Sequence, residues 1–355
     1  MSYYCSFMKH QLMIDVKQEN NAKYAPCCHF KKSLDIDTFN LETKKYNNLL
    51  EKGIRIPECI HCWEIEDKGL RSVRLGAVDL FPKNSQSEIK RLDIRIHNKC
   101  NLACTMCYSG ASNLWGKLEG KDTFYKINDN ELSMIREKSK NVTQISFQGG
   151  EPFYGSEYDD FLMSLDNLEN IVVDIFTNVI SAKREVIERW HTKLKKLKIN
   201  ASVDGYGDVY ESIRWPTTWG KFEKNAKMIY NILGHDISYF WTMQAENASN
   251  LFKFLEWRDK FTPRSTVELS LLMGSSELGL SSIDSDEKNK FISSYEKYME
   301  SKDDSYYNGR FNNEYKQLKT MYKIILKTKV NDDLVSKRKD KLKYISDLRK
   351  NYKEK

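Results

Sequence analysis

The stretch from Arg91 to Cys107, RLDIRIHNKCNLACTMC, joins a short alternating segment to a group of closely spaced cysteines. Leu92, Ile94 and Ile96 alternate with polar or charged residues, which is the period of a β-strand. The cysteines follow this segment directly. Because functional groups in barrel-type α/β proteins lie in the loops after the strands, we expect the thiols to occupy such a site.

More strand-like and helix-like segments follow along the chain. Apolar or β-rich runs lie at 144–147, 171–176, 198–203, 237–243 and 266–272, with helical-period stretches at 160–168, 183–197 and 221–233 between most of them. Strands that alternate with helices predict a parallel sheet. We therefore predict an α/β fold, specifically a partial (β/α)6 TIM-like barrel, because eight complete units need a longer chain.

The segments on either side of this core differ from it in composition. Residues 1–85 hold five cysteines with little regular apolar period, which predicts a small module stapled by a metal cluster. Residues 281–355 are charged and helix-prone, which predicts a C-terminal extension of amphipathic helices. The core domain is then expected to span residues 86–280.

Composition narrows the class of protein. The 355 residues are 40% hydrophobic, enough for a full core, and no apolar run approaches membrane-spanning length. No secretory signal is recognisable at the start of the sequence. We expect a soluble cytoplasmic protein without membrane association. In a reducing cytosol, clustered cysteines such as these eight indicate metal ligation.

The net charge indicates the function less strongly than the cysteines do. The net charge of +7 comes mainly from lysines, with much of the excess after residue 285. A basic surface can attract nucleic acid or acidic substrates, and it is also typical of a solvated helical face.

Cys100, Cys104 and Cys107 form a CxxxCxxC motif whose spacing suits an iron–sulfur cluster. One short loop with this spacing can wrap three corners of a cuboidal cluster, and thiolates are the soft ligands that such clusters require. Three thiolates on a cluster of four irons leave one iron open.

Two other interpretations of the motif are structural. The cysteines could form a buried helical stripe, although Asn98, Lys99 and Asn101 make this segment polar. They could also bind zinc, which usually takes a fourth ligand, and His97 is the only such residue nearby.

The CxxxCxxC motif after a strand resembles the signature of radical S-adenosylmethionine (SAM) enzymes. This resemblance, supported by motifs across most of residues 1–275, implies a [4Fe-4S] cluster whose open iron chelates the amino and carboxylate groups of SAM. It also implies that an electron from the cluster breaks a carbon–sulfur bond of SAM and gives a 5′-deoxyadenosyl radical.

The sequence QGGEP after the second predicted strand resembles the GGEP segment of the family. There Gly149 and Gly150 would permit close backbone approach, and the Glu151 carboxylate would accept hydrogen bonds from the methionyl ammonium of SAM. The family has an aromatic residue before the last cysteine, where this chain has Met106. The adenine contact is therefore expected from the backbone of Met106 or Tyr108.

Two later segments also resemble SAM contacts of the family. Asn178 follows the third predicted strand, like the family segment near the ribose of SAM. The SVDG sequence at 202–205, with Arg214 beyond it, resembles a pair found in peptide-modifying branches. It implies that Ser202 and Arg214 hold the methionyl carboxylate, for which a guanidinium fork is suited, and that Asp204 belongs to the same site.

The N-terminal cysteines resemble the ligands of the auxiliary-cluster "twitch" module of radical SAM enzymes, placed here before the barrel. The resemblance implies an auxiliary [4Fe-4S] cluster on Cys5, Cys27, Cys59 and Cys62, with Cys28 as the alternative to Cys27. Such a cluster would conduct or accept electrons. A four-thiolate site suits structural zinc equally well.

The resemblance implies an enzyme whose radical abstracts hydrogen from a substrate, which we expect to be a peptide or protein side chain or a small molecule. An electron donor such as flavodoxin or ferredoxin would be its partner. One alternative is RNA or tRNA modification, since methylthiotransferases also combine an N-terminal cluster with this core. Another is a non-catalytic, metal-stapled binding protein.

Overall fold

The computed structural model describes residues 3–16, 22–82, 88–234, 237–272, 277–303, 306 and 308–353. The chain divides into two compact units. The first comprises Met1–Lys99, Phe124–Phe176 and Trp190–Leu197, and the second comprises Cys100–Thr123, Thr177–Arg189 and Lys198–Lys355.

The described residues form strands and helices that alternate over most of the chain. In order, they are α1 (Phe7–His10), β1 (Gln11–Val16), β2 (Ala22–Ala25), α2 (Phe39–Glu51), α3 (Ile60–Asp67), α4 (Val73–Leu80), β3 (Arg91–Arg95), α5 (Asn113–Leu118), α6 (Asp129–Lys138), β4 (Gln144–Phe147), α7 (Glu157–Met163), β5 (Val172–Thr177), α8 (Arg184–Lys193), β6 (Lys196–Ser202), α9 (Asp208–Ile213), α10 (Trp219–Leu233), β7 (Ile237–Met243), α11 (Asn250–Phe261), β8 (Thr266–Leu271), α12 (Ser285–Glu300), α13 (Asn312–Lys327) and α14 (Asp332–Lys353).

The sheet of the first unit runs in the order β2-β1-β3-β4-β5. Only the β1–β2 pair is antiparallel among the pairs described. Ile14, Ile94, Phe147 and Ile175 stand opposite one another across the four parallel strands, and all four are fully buried. This row of apolar side chains sets the register of the unit, because a one-residue slip would turn each of them to the other face.

The second unit pairs β6, β7 and β8 in parallel. Ala201, Tyr239 and Val267 stand opposite one another and are fully buried. The phenol of Tyr239 donates a hydrogen bond to Thr262, which satisfies its hydroxyl inside this core.

The six strands predicted from the sequence are confirmed as β3 to β8, and the α/β class with mainly parallel strands is confirmed with them. The predicted helix at 183–197 extends too far, because Leu197, Ile199 and Ala201 already alternate inward along β6. The predicted helix at 160–168 is α7, which begins and ends earlier. The helical C-terminal segment is confirmed as α12, α13 and α14.

Strands β1 and β2 were not predicted, and they add to the core sheet from the N-terminal segment. Every residue of β1 is buried, so its sequence QLMIDV lacks the apolar and polar alternation of a half-exposed strand. Within the described ranges, none of the helices has both the length and the apolar character needed to cross a membrane.

A buried ion pair fastens the helical extension to the second unit. Arg258 of α11 donates to both carboxylate oxygens of Glu314 in α13, at 2.8 and 2.7 Å, and neither side chain is more than 1% exposed. Glu314 also accepts hydrogen bonds from the Val267 amide of β8 and from the Tyr306 hydroxyl. The carboxylate therefore joins β8, α11 and α13 at one point.

Glu314→Ala is expected to lower the free energy of unfolding by about 3–5 kcal/mol, because it leaves the Arg258 cation buried without its partner. Urea denaturation followed by tryptophan fluorescence measures this. Asp333→Ala is the control, since it breaks the exposed ion pair with Lys337 and should cost less than about 1 kcal/mol. Equal losses in the two variants would contradict the role of the buried pair.

Candidate active site

The loop from Cys100 to Cys107, here called the cluster loop, is held by main-chain hydrogen bonds within the second unit. The Ala103 amide donates to the Trp215 carbonyl at 2.7 Å, and the Thr105 amide donates to the Ile213 carbonyl at 2.9 Å. This alternating pattern resembles a short strand pairing. It fixes the middle of the cluster loop against the end of α9.

The start of α5 holds the other side of the cluster loop. Asn113 accepts a hydrogen bond from the Cys100 amide, and the Ser112 hydroxyl donates to the Leu102 carbonyl. The indole of Trp115, which is buried, donates to the Cys104 carbonyl at 2.9 Å. Three side chains of one helix start therefore satisfy main-chain groups of the loop that carries the cysteines.

The three thiols of the cluster loop lie in different environments. Cys104 is buried, whereas Cys100 and Cys107 are partly exposed. Burial raises the pKa of Cys104 to about 12, and nearby Arg214 acts in the opposite direction. Burial also raises the pKa of Cys107. As free thiols Cys104 and Cys107 are therefore protonated at neutral pH, and binding a metal would release their protons.

Arg214 places a buried positive charge beside Cys104. Its Nη1 lies 3.9 Å from the Cys104 Sγ, and its Nη2 donates to the carboxylate of Asp204. The guanidinium Nε of Arg214 is buried and has no hydrogen-bond partner. A buried donor without a partner is costly, so this nitrogen suits an anionic ligand group next to the thiols.

Asp204 has a positioning role in the structure. Its carboxylate accepts a hydrogen bond from the Thr242 amide at 2.6 Å as well as from Arg214, and its carbonyl accepts one from Asn247. The side chain is fully buried. These bonds tie the ends of β6 and β7 to Arg214, and the expectation that Asp204 itself contacts SAM stays a prediction.

The glycine of the SVDG motif is needed for packing. A Cβ on Gly205 would lie 2.5 Å from the Tyr210 main-chain nitrogen, which is too close for any other residue. Helix α9 therefore packs against this turn, and Arg214 stands at its C-terminal end. Ser202 ends β6 and is partly buried.

Asn178 is tied to the cluster loop. Its Nδ2 donates to the Asn101 side chain at 2.8 Å, and its Oδ1 accepts from the Ile180 amide. Asn101 donates in turn to the Ser181 hydroxyl. Asn178 thus contacts the loop that carries the cysteines, and its role near the ribose of SAM stays a prediction.

Met106 and Tyr108 flank the last cysteine of the cluster loop. Met106 is partly exposed, and the Tyr108 side chain is 63% exposed. Their proposed contacts with adenine stay predictions.

The QGGEP segment belongs to the first unit and lies against the residue that precedes the cluster loop. Gly149 and Gly150 have φ of +80° and +49°. A Cβ on Gly150 would lie 2.3 Å from the Lys99 carbonyl oxygen. The Glu151 amide donates to the same oxygen at 2.8 Å, and the Glu151 side chain is buried. Only a glycine permits this approach to Lys99.

His97, which the zinc alternative requires, lies in the first unit beside Glu157 and Tyr158. Its Nε2 is 3.6 Å from the Glu157 carboxylate, and its ring meets the Tyr158 ring edge-on. Burial lowers the pKa of His97 to about 4, so the imidazole is neutral at pH 7.

The N-terminal cysteines lie close enough in the first unit to influence one another. Cys5, Cys27, Cys59 and Cys62 are buried, and Cys28 is partly exposed. Burial raises the pKa of each thiol, and the proximity of Cys5 and Cys62 raises the pKa of Cys27 and of Cys59 further. These mutual effects are those expected when several thiols share one small volume.

A buried arginine accompanies these thiols. Arg74 partly offsets the effect of burial on the pKa values of Cys5, Cys59 and Cys62. It donates to the Tyr4 carbonyl at 3.0 Å and pairs with Glu66. A cation next to grouped thiols favours their thiolate forms, which are the forms that bind metals.

Neither cysteine group has the geometry of a metal site in the part of the chain that the structure describes. No set of three or more His, Cys, Asp or Glu side chains there is arranged to hold a metal ion. The donor types still fit an iron–sulfur cluster, because both groups combine buried thiols with a buried arginine.

Comparison with known proteins agrees with the motifs. Residues 94–255 match the family model described as the Radical SAM superfamily. An uncharacterized protein of Methanocaldococcus jannaschii is 28% identical over 123 residues, which cover 33% of this chain and 39% of the relative. The match thus spans about two fifths of the relative's length.

Solved structures that match part of this chain include native anSMEcpe with bound AdoMet, at 18% identity and a TM-score of 0.46, covering 59% of this chain and 61% of that chain. SuiB of Streptococcus suis bound to S-adenosylmethionine has 15% identity and a TM-score of 0.44, covering 75% of this chain and 59% of that chain.

Gly150→Ala is expected to lower the free energy of unfolding by about 1–3 kcal/mol, because it combines a positive φ with a Cβ pressed against the Lys99 carbonyl. Chemical denaturation measures the loss. Gly220→Ala in α10 is the control, because its new methyl group meets nothing within 4 Å and its φ is not positive. A Gly150→Ala protein as stable as that control would contradict the close approach.

Proposed function

We propose that this protein is a radical SAM enzyme that binds a [4Fe-4S] cluster through Cys100, Cys104 and Cys107. SAM would be cleaved reductively, and the resulting 5′-deoxyadenosyl radical would abstract a hydrogen atom from a substrate. The Radical SAM superfamily match over residues 94–255 supports the class of reaction. The strands are proposed to form the partial TIM-like barrel expected of this class.

The observation that carries the proposal is the buried Arg214 guanidinium beside Cys104. Asp204 occupies one terminal nitrogen of Arg214, while Nε is left without a partner. The pair is buried, so the guanidinium is held in one orientation. A carboxylate bound there would satisfy the free donor and lie next to the thiols, as the methionyl carboxylate of SAM requires.

When bound, the cluster and SAM supply the radical by one-electron cleavage of a carbon–sulfur bond. The residues of this chain bind and orient the groups that take part. Arg214 and Ser202 are proposed to hold the methionyl carboxylate, and Glu151 to accept hydrogen bonds from its ammonium. Burial of Cys104 under Trp115 keeps water from one side of the cluster loop.

The substrate proposed is a peptide or protein side chain. The support is the likeness of the SVDG sequence and Arg214 to peptide-modifying radical SAM enzymes. A reduced flavodoxin or ferredoxin is the proposed electron donor, because cleavage of the sulfonium consumes one electron that the chain itself does not supply.

We further propose an auxiliary [4Fe-4S] cluster on Cys5, Cys27, Cys59 and Cys62. Cys27 is preferred to Cys28 because Cys27 is buried like Cys5, Cys59 and Cys62, whereas Cys28 is partly exposed. Four thiolates close the coordination of the cluster, so its proposed role is electron transfer.

Anaerobic reconstitution is expected to give about eight irons per chain, since each cubane cluster holds four. Addition of dithionite and SAM should then yield 5′-deoxyadenosine from the wild type and none from the Cys100, Cys104 and Cys107 triple alanine variant. Iron and sulfide assays and chromatography measure both. A wild type that binds no cluster and forms no 5′-deoxyadenosine would overturn the proposed function.

Cys27 and Cys28 provide a matched pair of single variants for the auxiliary site. Cys27→Ala should lower the iron content to about four per chain, and Cys28→Ala should leave about eight. A wild type with about four irons and one bound zinc would assign the N-terminal cysteines to zinc instead.

Arg214→Gln is expected to weaken SAM binding by roughly tenfold or more, because it removes the charged donors to the methionyl carboxylate. Equilibrium binding to the reconstituted protein measures this. 5′-Methylthioadenosine, which lacks the amino-acid portion, is the control ligand and should bind both proteins equally. If Arg214→Gln weakens both ligands equally, Arg214 does not contact the carboxylate.

A further inference from the structure

The C-terminal helix α14 packs against the cluster loop within the second unit. Ile345 is 1% exposed and lies in one apolar cluster with Ala103 of the loop and Trp115. Leu348 and Cys107 pack on the same cluster. Residues from the end of the chain thus cover the loop that carries the cysteine motif.

Arg349, one residue beyond Leu348, adds directional contacts. Its Nη2 donates to the Ala103 carbonyl and its Nη1 to the Ser212 carbonyl, both at 2.7 Å. The guanidinium carbon lies 5.6 Å from the centre of the Trp215 ring. Because Ala103 also donates its amide to the Trp215 carbonyl, Arg349 and Trp215 together engage both main-chain groups of Ala103.

Arg349 also brings charge to the cluster loop. Burial lowers its pKa to about 10, which leaves the guanidinium protonated at neutral pH. Its Nη2 binds the carbonyl of Ala103, the residue before Cys104, and the Arg214 Nη1 lies 3.9 Å from the Cys104 Sγ. Two arginines from distant parts of the sequence therefore place positive charge next to Cys104, Arg349 at the adjacent main chain and Arg214 at the thiol.

A cavity of about 310 Å³ borders this contact, and Thr105, Trp215, Glu246 and Arg349 contribute to its wall. Arg349 is at once part of that wall and bonded to the main chain next to Cys104. Loss of its side chain would enlarge the cavity toward the cluster loop, and water would reach the Ala103 carbonyl.

We propose that Arg349 is a positioning residue for the iron–sulfur site: it clamps the main chain of the cluster loop at Ala103 and supplies a positive charge beside Cys104. The part of this proposal that concerns the cluster rests on the proposed function. The part that concerns the loop does not, because it can be measured on the protein without metal.

The chain offers a matched control on the same helix. Arg338 of α14 donates to the Ser282 carbonyl at 2.9 Å and to the Asp284 carboxylate at 2.7 Å. Arg338→Gln therefore removes two hydrogen bonds of α14, as Arg349→Gln does, but at a site without contact to the cluster loop among the bonds described.

The first experiment is hydrogen–deuterium exchange on full-length apoprotein. Arg349→Gln should raise the exchange of the Ala103 and Thr105 amides roughly tenfold or more, because hydrogen bonds to a charged donor are among the stronger ones. Arg338→Gln should leave these amides at the wild-type rate. Equal exchange in all three proteins, or the same increase in both variants, would overturn the clamp.

The second experiment measures the midpoint potential of the SAM-binding cluster after reconstitution. A nearby cation stabilises the more reduced, more negative state, so Arg349→Gln should shift the potential to more negative values. Arg349→Lys should keep the wild-type potential, because the positive charge remains. It should still raise the hydrogen–deuterium exchange of the cluster-loop amides, because an ammonium cannot donate to two carbonyls in the geometry of a guanidinium. An unshifted potential in Arg349→Gln would overturn the electrostatic role.

The two proposals fail in distinguishable ways. A wild type that cannot be loaded with iron contradicts the proposed function, and the exchange experiment still decides whether Arg349 clamps the loop. The other case is a wild type that binds iron and is active, while Arg349→Gln changes neither amide exchange nor midpoint potential. That result supports the enzyme function and contradicts the positioning role of Arg349.

Discussion

The buried ion pair between Asp204 and Arg214 is the constraint on which the rest of the site depends. A charge without its partner is very costly in a protein interior, so neither group can move alone. Asp204 also binds the Thr242 amide, and Arg214 reaches Cys104. The ends of β6 and β7, the end of α9 and one cysteine are thereby held in a single arrangement, and Gly205 makes room for it.

Most of the strands were predictable because they follow a simple rule. In β5, β6 and β7 buried residues alternate with partly exposed ones, and this period is visible in the sequence. Strand β1 is buried along its whole length and gives no such signal. A short, mainly apolar segment such as QLMIDV does not distinguish a buried strand from a short helix, so the strand is revealed only by its pairing with β3.

The candidate site residues were predicted from motifs with fixed spacing, such as the CxxxCxxC motif and the paired glycines. The side chains that hold those motif residues in place were not predicted. Asn101, Trp115 and Arg349 follow no spacing rule, and Arg349 lies 246 positions from the Ala103 carbonyl that it binds. Polar Ser112 and Asn113 at the start of α5 are the exception, since such residues favour helix starts.

Helix α14 also has a consequence for the order of biosynthesis. A chain is made from its N-terminus, so the three cysteines leave the ribosome long before Arg349 is added. Until then the Ala103 carbonyl has no guanidinium to accept from, and Ile345 does not yet cover the loop. Maturation of this loop therefore waits until translation has passed Arg349, 246 positions after Ala103.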